Sequence, residues 1–181
     1  MCTEMNTTIE GDIVTLRSLQ QNDLENRVRW FNDPQVNKSL ILDSELNIQD
    51  TIKWFQNTIN TDTRKDFVIE TSDGKAIGCI GLRKIDTKNK SACFYIVIGE
   101  KDYWGKGLGS SAAGLLLGWG FANLGLNKIW SVVRSENTGS LSMLKKVGFK
   151  EEGLLRQEEC VKGVMIDVVR LGLLKTEWVN D

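Results

Sequence analysis

The residues from Ile96 to Ala112, Ile96-Val97-Ile98-Gly99-Glu100-Lys101-Asp102-Tyr103-Trp104-Gly105-Lys106-Gly107-Leu108-Gly109-Ser110-Ser111-Ala112, have the types and spacing that chemistry needs. A β-rich run enters three alternating glycines, Gly105, Gly107 and Gly109, and small residues continue through Ala113 and Gly114. Glycines let the backbone curl until successive N–H groups point inward, and a helix starting behind them adds the positive end of its dipole. Together they make a cradle for a pyrophosphate. A glycine-rich turn without a ligand is the plainer alternative, and the run of small residues into the helix weighs against it.

A Walker A loop requires GxxxxGK[ST]. Here Gly99 lies one residue too far from Gly105-Lys106, and Gly107 stands where a hydroxyl residue would hold magnesium. Gly107 to Ala112 does satisfy GxGxxA, but a dinucleotide-binding unit places that turn after its first parallel strand and an acidic residue at the end of the next one. This chain has an antiparallel pattern before the loop, and its next strand ends Val132-Val133-Arg134-Ser135. A dinucleotide-dependent oxidoreductase is therefore the weaker reading.

What the composition excludes is equally sharp. Among 181 residues there is no histidine, which removes Ser-His-Asp and Cys-His nucleophilic systems, HExxH zinc sites and any imidazole proton shuttle. With 23 Lys plus Arg against 24 Asp plus Glu, the net charge of −1 provides no footprint for nucleic acid. Cys2, Cys79, Cys93 and Cys160 show no CxxC spacing, so buried thiols and no metal are expected. The polar start MCTEMNTTIEGD is unlike a signal peptide, and the apolar stretch Leu115 to Leu124 is broken by Gly118 and Gly120. A cytoplasmic protein with no membrane partner is the expectation.

The elements that must position the loop follow from periodicity. Residues 12 to 18 read as a strand, Asp23 to Phe31 as a helix, and a second helix opens at Asn47 with Ile48, Ile52, Phe55 and Ile59 on one face. Phe67 to Thr71 and Ala76 to Ile85 flank Asp73-Gly74, a strong hairpin signal, and a turn at Thr87-Lys88-Asn89 leads into Ser91 to Gly99. Then come a helix from Gly107 to Leu124, a strand from Lys128 to Arg134, a helix from Asn137 to Val147 ending at Gly148, and strands Phe149 to Gln157 and Val164 to Lys175 about Lys162-Gly163. The predicted fold is mixed α/β, ordered β-α-α-β-β-β-α-β-α-β-β around a mostly antiparallel sheet. Residues 12–176 are one domain, 1–11 an N-terminal extension and 177–181 a tail.

Trp104-Gly105-Lys106-Gly107-Leu108-Gly109 resembles the [QR]xxGx[GA] acetyl-CoA loop of the GNAT N-acetyltransferase superfamily. Asn137-Thr138-Gly139-Ser140, followed by Lys146-Val147-Gly148-Phe149, resembles its second cofactor motif, and the element order matches. The tryptophan in the loop, the Ile-Gly before it and the ending Asp167-Val168-Val169-Arg170-Leu171 look like the branch holding the RimJ/RimL ribosomal-protein acetyltransferases and the spermidine acetyltransferases. The resemblance covers about residues 12 to 176. It implies acetyl-CoA as donor, with Val97, Ile98 and Gly99 on the strand entering the loop, Val97 and Gly99 matching the positions whose backbone groups hold the pantetheine arm and the thioester carbonyl. Gly105, Lys106, Gly107, Leu108, Gly109 and Ser110 match the pyrophosphate cradle, and Asn137 matches a contact near the sulfur, a role that can coexist with simple N-capping. No metal is implied, and a homodimer is compatible with it.

This sequence departs from the pattern twice. The position four before Gly148-Phe149, a tyrosine acid in many relatives, is Leu144 (numbered from Gly148), and Cys93 stands where relatives often carry a glutamate. A hydroxyl such as Ser140, or water, is then expected to assist the leaving thiolate, and Glu100 is the first candidate to position a proton-accepting water, against the plain reading of a solvated turn carboxylate. Cys160 reads as structural, and Trp30, Trp54 and Phe55 as core in preference to acceptor wall. Direct attack by an amine in a ternary complex is the expected reaction, with a non-catalytic acyl-CoA sensor as its rival. An α-amine titrates near about 7.7–8.0 and lysine near about 10.4, so a site without an obvious base favours a peptide or protein N-terminus. Polyamines, with Glu45, Asp50 and Asp62 as partners, and amino sugars or aminoglycosides are the alternatives.

Overall fold

The computed structural model describes residues 7–58 and 61–179. Its strands are β1 (Thr8–Ile9), β2 (Val14–Ser18), β3 (Arg64–Thr71), β4 (Ala76–Asp86), β5 (Ser91–Ile98), β6 (Lys128–Arg134), β7 (Lys150–Val161) and β8 (Val164–Leu174). Its helices are α1 (Leu24–Asn32), α2 (Pro34–Asn37), α3 (Ile48–Thr58), α4 (Leu108–Asn123) and α5 (Thr138–Lys146). The strands form one sheet in the order β1-β2-β3-β4-β5-β6-β8-β7, antiparallel except where β5 meets β6.

Turn chemistry explains that topology. Gly74, at φ +79°, closes the hairpin between β3 and β4, and the Asp86 carboxylate accepts from Asn89 N (2.8 Å) in the next turn. Lys162 and Gly163 both take positive φ, the geometry of a tight two-residue hairpin, and join β7 to β8. Between β5 and β6 the chain instead crosses over through α4, and a crossover delivers a parallel neighbour.

The strand period of two then sorts side chains between two helix layers. Phe67 and Ile69 on β3 pack with Leu116, Leu117 and Phe121 of α4 and Leu144 of α5. Val68, between them, joins Cys79 and Val97 beneath Trp30 and Phe31 of α1 and Phe55 of α3. Asn47 caps α3 by accepting from Asp50 N (2.8 Å), as its position in the sequence suggests.

The order of elements is the predicted one with two additions. Two-residue β1 is too short to carry a periodic signal. In α2, Pro34 occupies the first turn while the Asp33 carboxylate accepts from Gln35 N and Val36 N, so the Asp-Pro turn is also a helix start. Strand β7 runs past Gln157 to Val161, because a bulge between Leu155 and Glu159 places Gln157 at φ +51° and lets pairing resume. Cys79 and Cys93 are buried, but Cys160 is exposed, so the expectation of buried thiols fails there. Cys2 and Ile59 lie outside the described residues. Among the described residues no helix is long and apolar enough to cross a membrane.

Candidate functional site

The parallel pairing of β5 with β6 stops early. Ser91, Ala92 and Cys93 pair with Lys128, Ile129 and Trp130, and there the ladder ends. Strand β5 continues to Ile98 on β4, and β6 continues to Arg134 on β8, so the two separate into a V. A cavity of about 1060 Å³ opens there, walled by Phe94 to Ile98 and Ser131 to Arg134, by the glycine loop, and by α1 and α3.

Separation strips β5 of ladder partners along one edge, and backbone groups without partners are costly when buried. Two are met by side chains: Ser131 Oγ donates to Phe94 O (3.1 Å), and Trp104 Nε1 donates to Ile98 O (2.8 Å). Alternation places the N–H and C=O of Ile96 on that same edge, midway between them. Val97 and Gly99 have the opposite parity: Gly99 N donates to Ile77 O (2.9 Å) on the β4 side. The strand edge available to a ligand is therefore that of Ile96 and Ile98, one residue out of step with the resemblance.

The loop offers open backbone. Gly105 (φ +72°) and Gly107 (φ +81°) have left-handed conformations, and a Cβ on either would meet nothing within 4 Å. Helix α4 starts with Gly107 as N-cap and no side-chain cap, so its first-turn N–H groups are free to face an anion. Gly105, Gly107, Gly109 and Ser110 line the cavity, as do Asn137 and Ser140 across from them. Lys106 and Leu108 do not; Lys106 Nζ lies over the Tyr103 ring at 5.4 Å, and Leu108 packs on the core. Asn137 Oδ1 accepts from Ser140 N (3.1 Å), the N-cap bond of α5. Ser140 Oγ makes no hydrogen bond among the described residues.

Gly99 and Glu100 are drawn to α1 and are absent from the cavity lining. A Cβ at Gly99 would overlap Trp30 Cγ and Cδ1. Glu100 Oε1 accepts from Trp30 Nε1 (2.8 Å) and Arg29 Nη2 (2.6 Å), and these donors hold its carboxyl below the usual range. Such a carboxylate is a tie between strand and helix and a weak base. A carboxylate with a depressed folded pKa stabilises above its unfolded value, about 4.3, and that stability disappears as pH falls through the folded value. Thermal melts of Glu100→Gln should thus show a lower Tm than the wild type at neutral pH, with the difference closing below about pH 4. A gap that persists unchanged into acid would refute the tie.

Leu144 is buried in the α4 side of the core and also reaches the cavity wall. Leu144→Tyr would place a phenol there. If protonation of the leaving thiolate is not limiting, kcat in the folded variant should change by less than about threefold, whereas restoring a missing general acid is worth about 10²–10⁴. Stopped-flow turnover distinguishes the two.

On the α1/α3 side the lining includes Arg27, Trp54, Arg64 and Tyr95, with Glu45 and Asp50 nearer the loop before α3. Trp30 and Phe55 are core, as expected, while Trp54 faces the cavity. Arg64 Nε donates to Asp66 Oδ2 (2.5 Å), and the Tyr95 hydroxyl donates to Asp66 Oδ1. Burial pushes the Cys79 thiol up to about 11, so it stays protonated. Arg27, Arg64, Tyr95 and Ile96 carry no motif; only the strand register, with Arg64 and Tyr95 on one face, could have signalled them. Among the described residues no group of three or more Cys, Asp or Glu could hold a metal.

A cavity at a split between parallel strands, with a glycine loop at one end and the α1/α3 pocket at the other, has the layout of a transferase site for a long phosphorylated donor. Residues 14–150 match the acetyltransferase (GNAT) domain, and the chain belongs to that family. It is 32% identical over 178 residues to the uncharacterized N-acetyltransferase p20 of Bacillus licheniformis, covering 96% of this chain and 99% of that protein. It is 30% identical to the putative ribosomal N-acetyltransferase YdaF of Bacillus subtilis, covering 93% and 94%. The crystal structure of spermidine N-acetyltransferase from Vibrio cholerae in complex with CoA and spermine superposes with a TM-score of 0.85 at 27% identity, covering 91% of this chain and 96% of that one. The chain is thus an acyltransferase that uses acetyl-CoA.

Proposed function

We propose that this protein transfers acetyl from acetyl-CoA to the primary amine of a small molecule by direct attack in a ternary complex. The observation that carries the reading is the split after Cys93 and Trp130, which joins the glycine cradle to the α1/α3 pocket in one cavity. Bound there, acetyl-CoA supplies an activated acyl group, whose carbonyl carbon takes the amine nitrogen while its C–S bond breaks and sulfur leaves as thiolate. The N–H groups of Gly107, Gly109 and Ser110 hold the pyrophosphate. The N–H and C=O of Ile96 and the N–H of Ile98 orient the arm behind it, with Ile96 N–H as the donor available to a carbonyl oxygen. Asn137 and Ser140 stand at the opposite wall, where the Ser140 hydroxyl can return a proton to sulfur. Water in the pocket takes the proton of the attacking amine. Holding both reactants in one cavity supplies much of the rate.

A polyamine is one acceptor to test, because a structural relative is held with spermine and the exposed carboxylates of Glu45 and Asp50 lie on the cavity lining. Thiol release from acetyl-CoA, followed with spermidine, an N-terminal peptide and an amino sugar, tests the proposal. Amine-dependent release is expected, and binding of acetyl-CoA without it would favour a sensor.

A further inference from the structure

The face of the sheet beneath α1 and α3 carries more positive charge than its own carboxylates balance. Arg64 and Arg83 stand directly opposite each other across β3 and β4, an arrangement that like charges disfavour. Arg64 Nε and Nη2 engage both oxygens of Asp66, and Tyr95 takes what that carboxylate has left. Arg83 is exposed and makes no hydrogen bond or ion pair among the described residues. Arg27 descends from α1 onto the same face and is only 8% exposed. Its guanidinium lies between the rings of Phe31 (4.2 Å) and Trp54 (4.4 Å), and Nη1 has no hydrogen-bond partner among the described residues. All three arginines line the cavity.

Of the three guanidiniums, only Arg64 has a carboxylate partner, Asp66, among the described residues. A buried cation lacking an ion pair is costly to keep; the two rings hold Arg27 in place, and an incoming anion would supply the partner that Nη1 lacks. The opposing carboxylates do not cancel it. Asp50 is exposed and occupied by Asn47 Nδ2 (2.5 Å) and Lys53 (3.6 Å), and Glu45 lies on the loop before α3. A distal ammonium of a polyamine would meet Arg27 and Arg64, whereas a carboxylate would meet the donors it needs.

We infer that the acceptor carries a carboxylate besides its amine, as an amino acid or short peptide does, and that Arg27 binds this carboxylate with Arg83 at its entrance. This rests on the acetyltransferase reading and competes with the polyamine acceptor. The test compares kcat/KM of the full chain with acetyl-CoA for glycylglycine, glycylglycinamide and spermidine at one pH. The two dipeptides share an α-amine and differ in the remote carboxylate. The free acid should exceed the amide by tenfold or more, and Arg27→Met should collapse that ratio through KM, with Arg27→Lys keeping part of it. Arg83→Gln, on an exposed residue, should lower the ratio severalfold and keeps the test available if the Arg27 variants do not fold. Calorimetric titration of glycylglycine into the CoA-bound protein should show binding that Arg27→Met abolishes. Equal use of acid and amide, or preference for spermidine, would overturn the inference and leave the acetyltransferase standing. Failure to acetylate any amine would remove both.

Discussion

Gly107→Glu should lower the affinity for acetyl-CoA by at least tenfold, about 1.4 kcal/mol or more. Gly107 combines three features: φ +81°, a place on the cavity lining, and the N-cap position of α4 without any side-chain cap. A non-glycine residue there adopts a left-handed conformation at a cost of about 1 kcal/mol. A Cβ would meet no protein atom within 4 Å, so the new side chain enters the space where the anion belongs. Its carboxylate would itself satisfy the free N–H groups and favour the dipole of α4, competing with phosphate on the phosphate's own terms. The variant should therefore fold nearly as well as the wild type while binding poorly. Calorimetric titration with acetyl-CoA, alongside a thermal melt, checks both halves; unchanged affinity would remove the loop from the cofactor site.

Gly99→Ala should show the reverse: a loss of stability out of proportion to any loss of binding. Its backbone N–H is turned to Ile77 O, away from the split, and the space a Cβ needs is filled by Trp30, which is 1% exposed and cannot swing aside. Moving the indole would also break its hydrogen bond to Glu100. Overpacking a core costs about 1–3 kcal/mol, and this contact belongs at the upper end. For a domain of this size that corresponds to a fall in Tm of roughly 6–12 °C. The resemblance alone would assign Gly99 to the cofactor, so a variant that melts normally but binds acetyl-CoA poorly would vindicate that assignment against the geometry.

These two glycines mark how far the chain could be read without its fold. The conformation of Gly107 was legible because the loop is local: alternating glycines followed by small residues dictate curled backbone and an open helix start whatever surrounds them. The same holds for Asn137 as the cap of α5, for the turns at Gly74 and Lys162-Gly163, and for the order of strands and helices, which periods of two and 3.6 record along the chain. Gly99 was not legible. Which edge of β5 faces the split depends on hydrogen-bond parity with β4, and a one-residue step in a strand reverses it. Residue types carry no trace of that parity, so Ile96 could not be preferred to Val97. Glu100 illustrates the same limit, because a carboxylate beside a phosphate loop suggests a base until Trp30 and Arg29, some seventy residues earlier in the chain, are found to hold it. The cationic floor is a tertiary product as well. Arg27, Arg64 and Arg83 are scattered ordinary charges in the sequence, and only the pairing of β3 with β4 and the descent of α1 onto them bring the three to one cavity, where Arg64 alone of them is paired to a carboxylate. Local conformation is set by neighbours a few residues away, whereas charge balance and strand-edge parity depend on contacts that exist only after the chain has closed on itself.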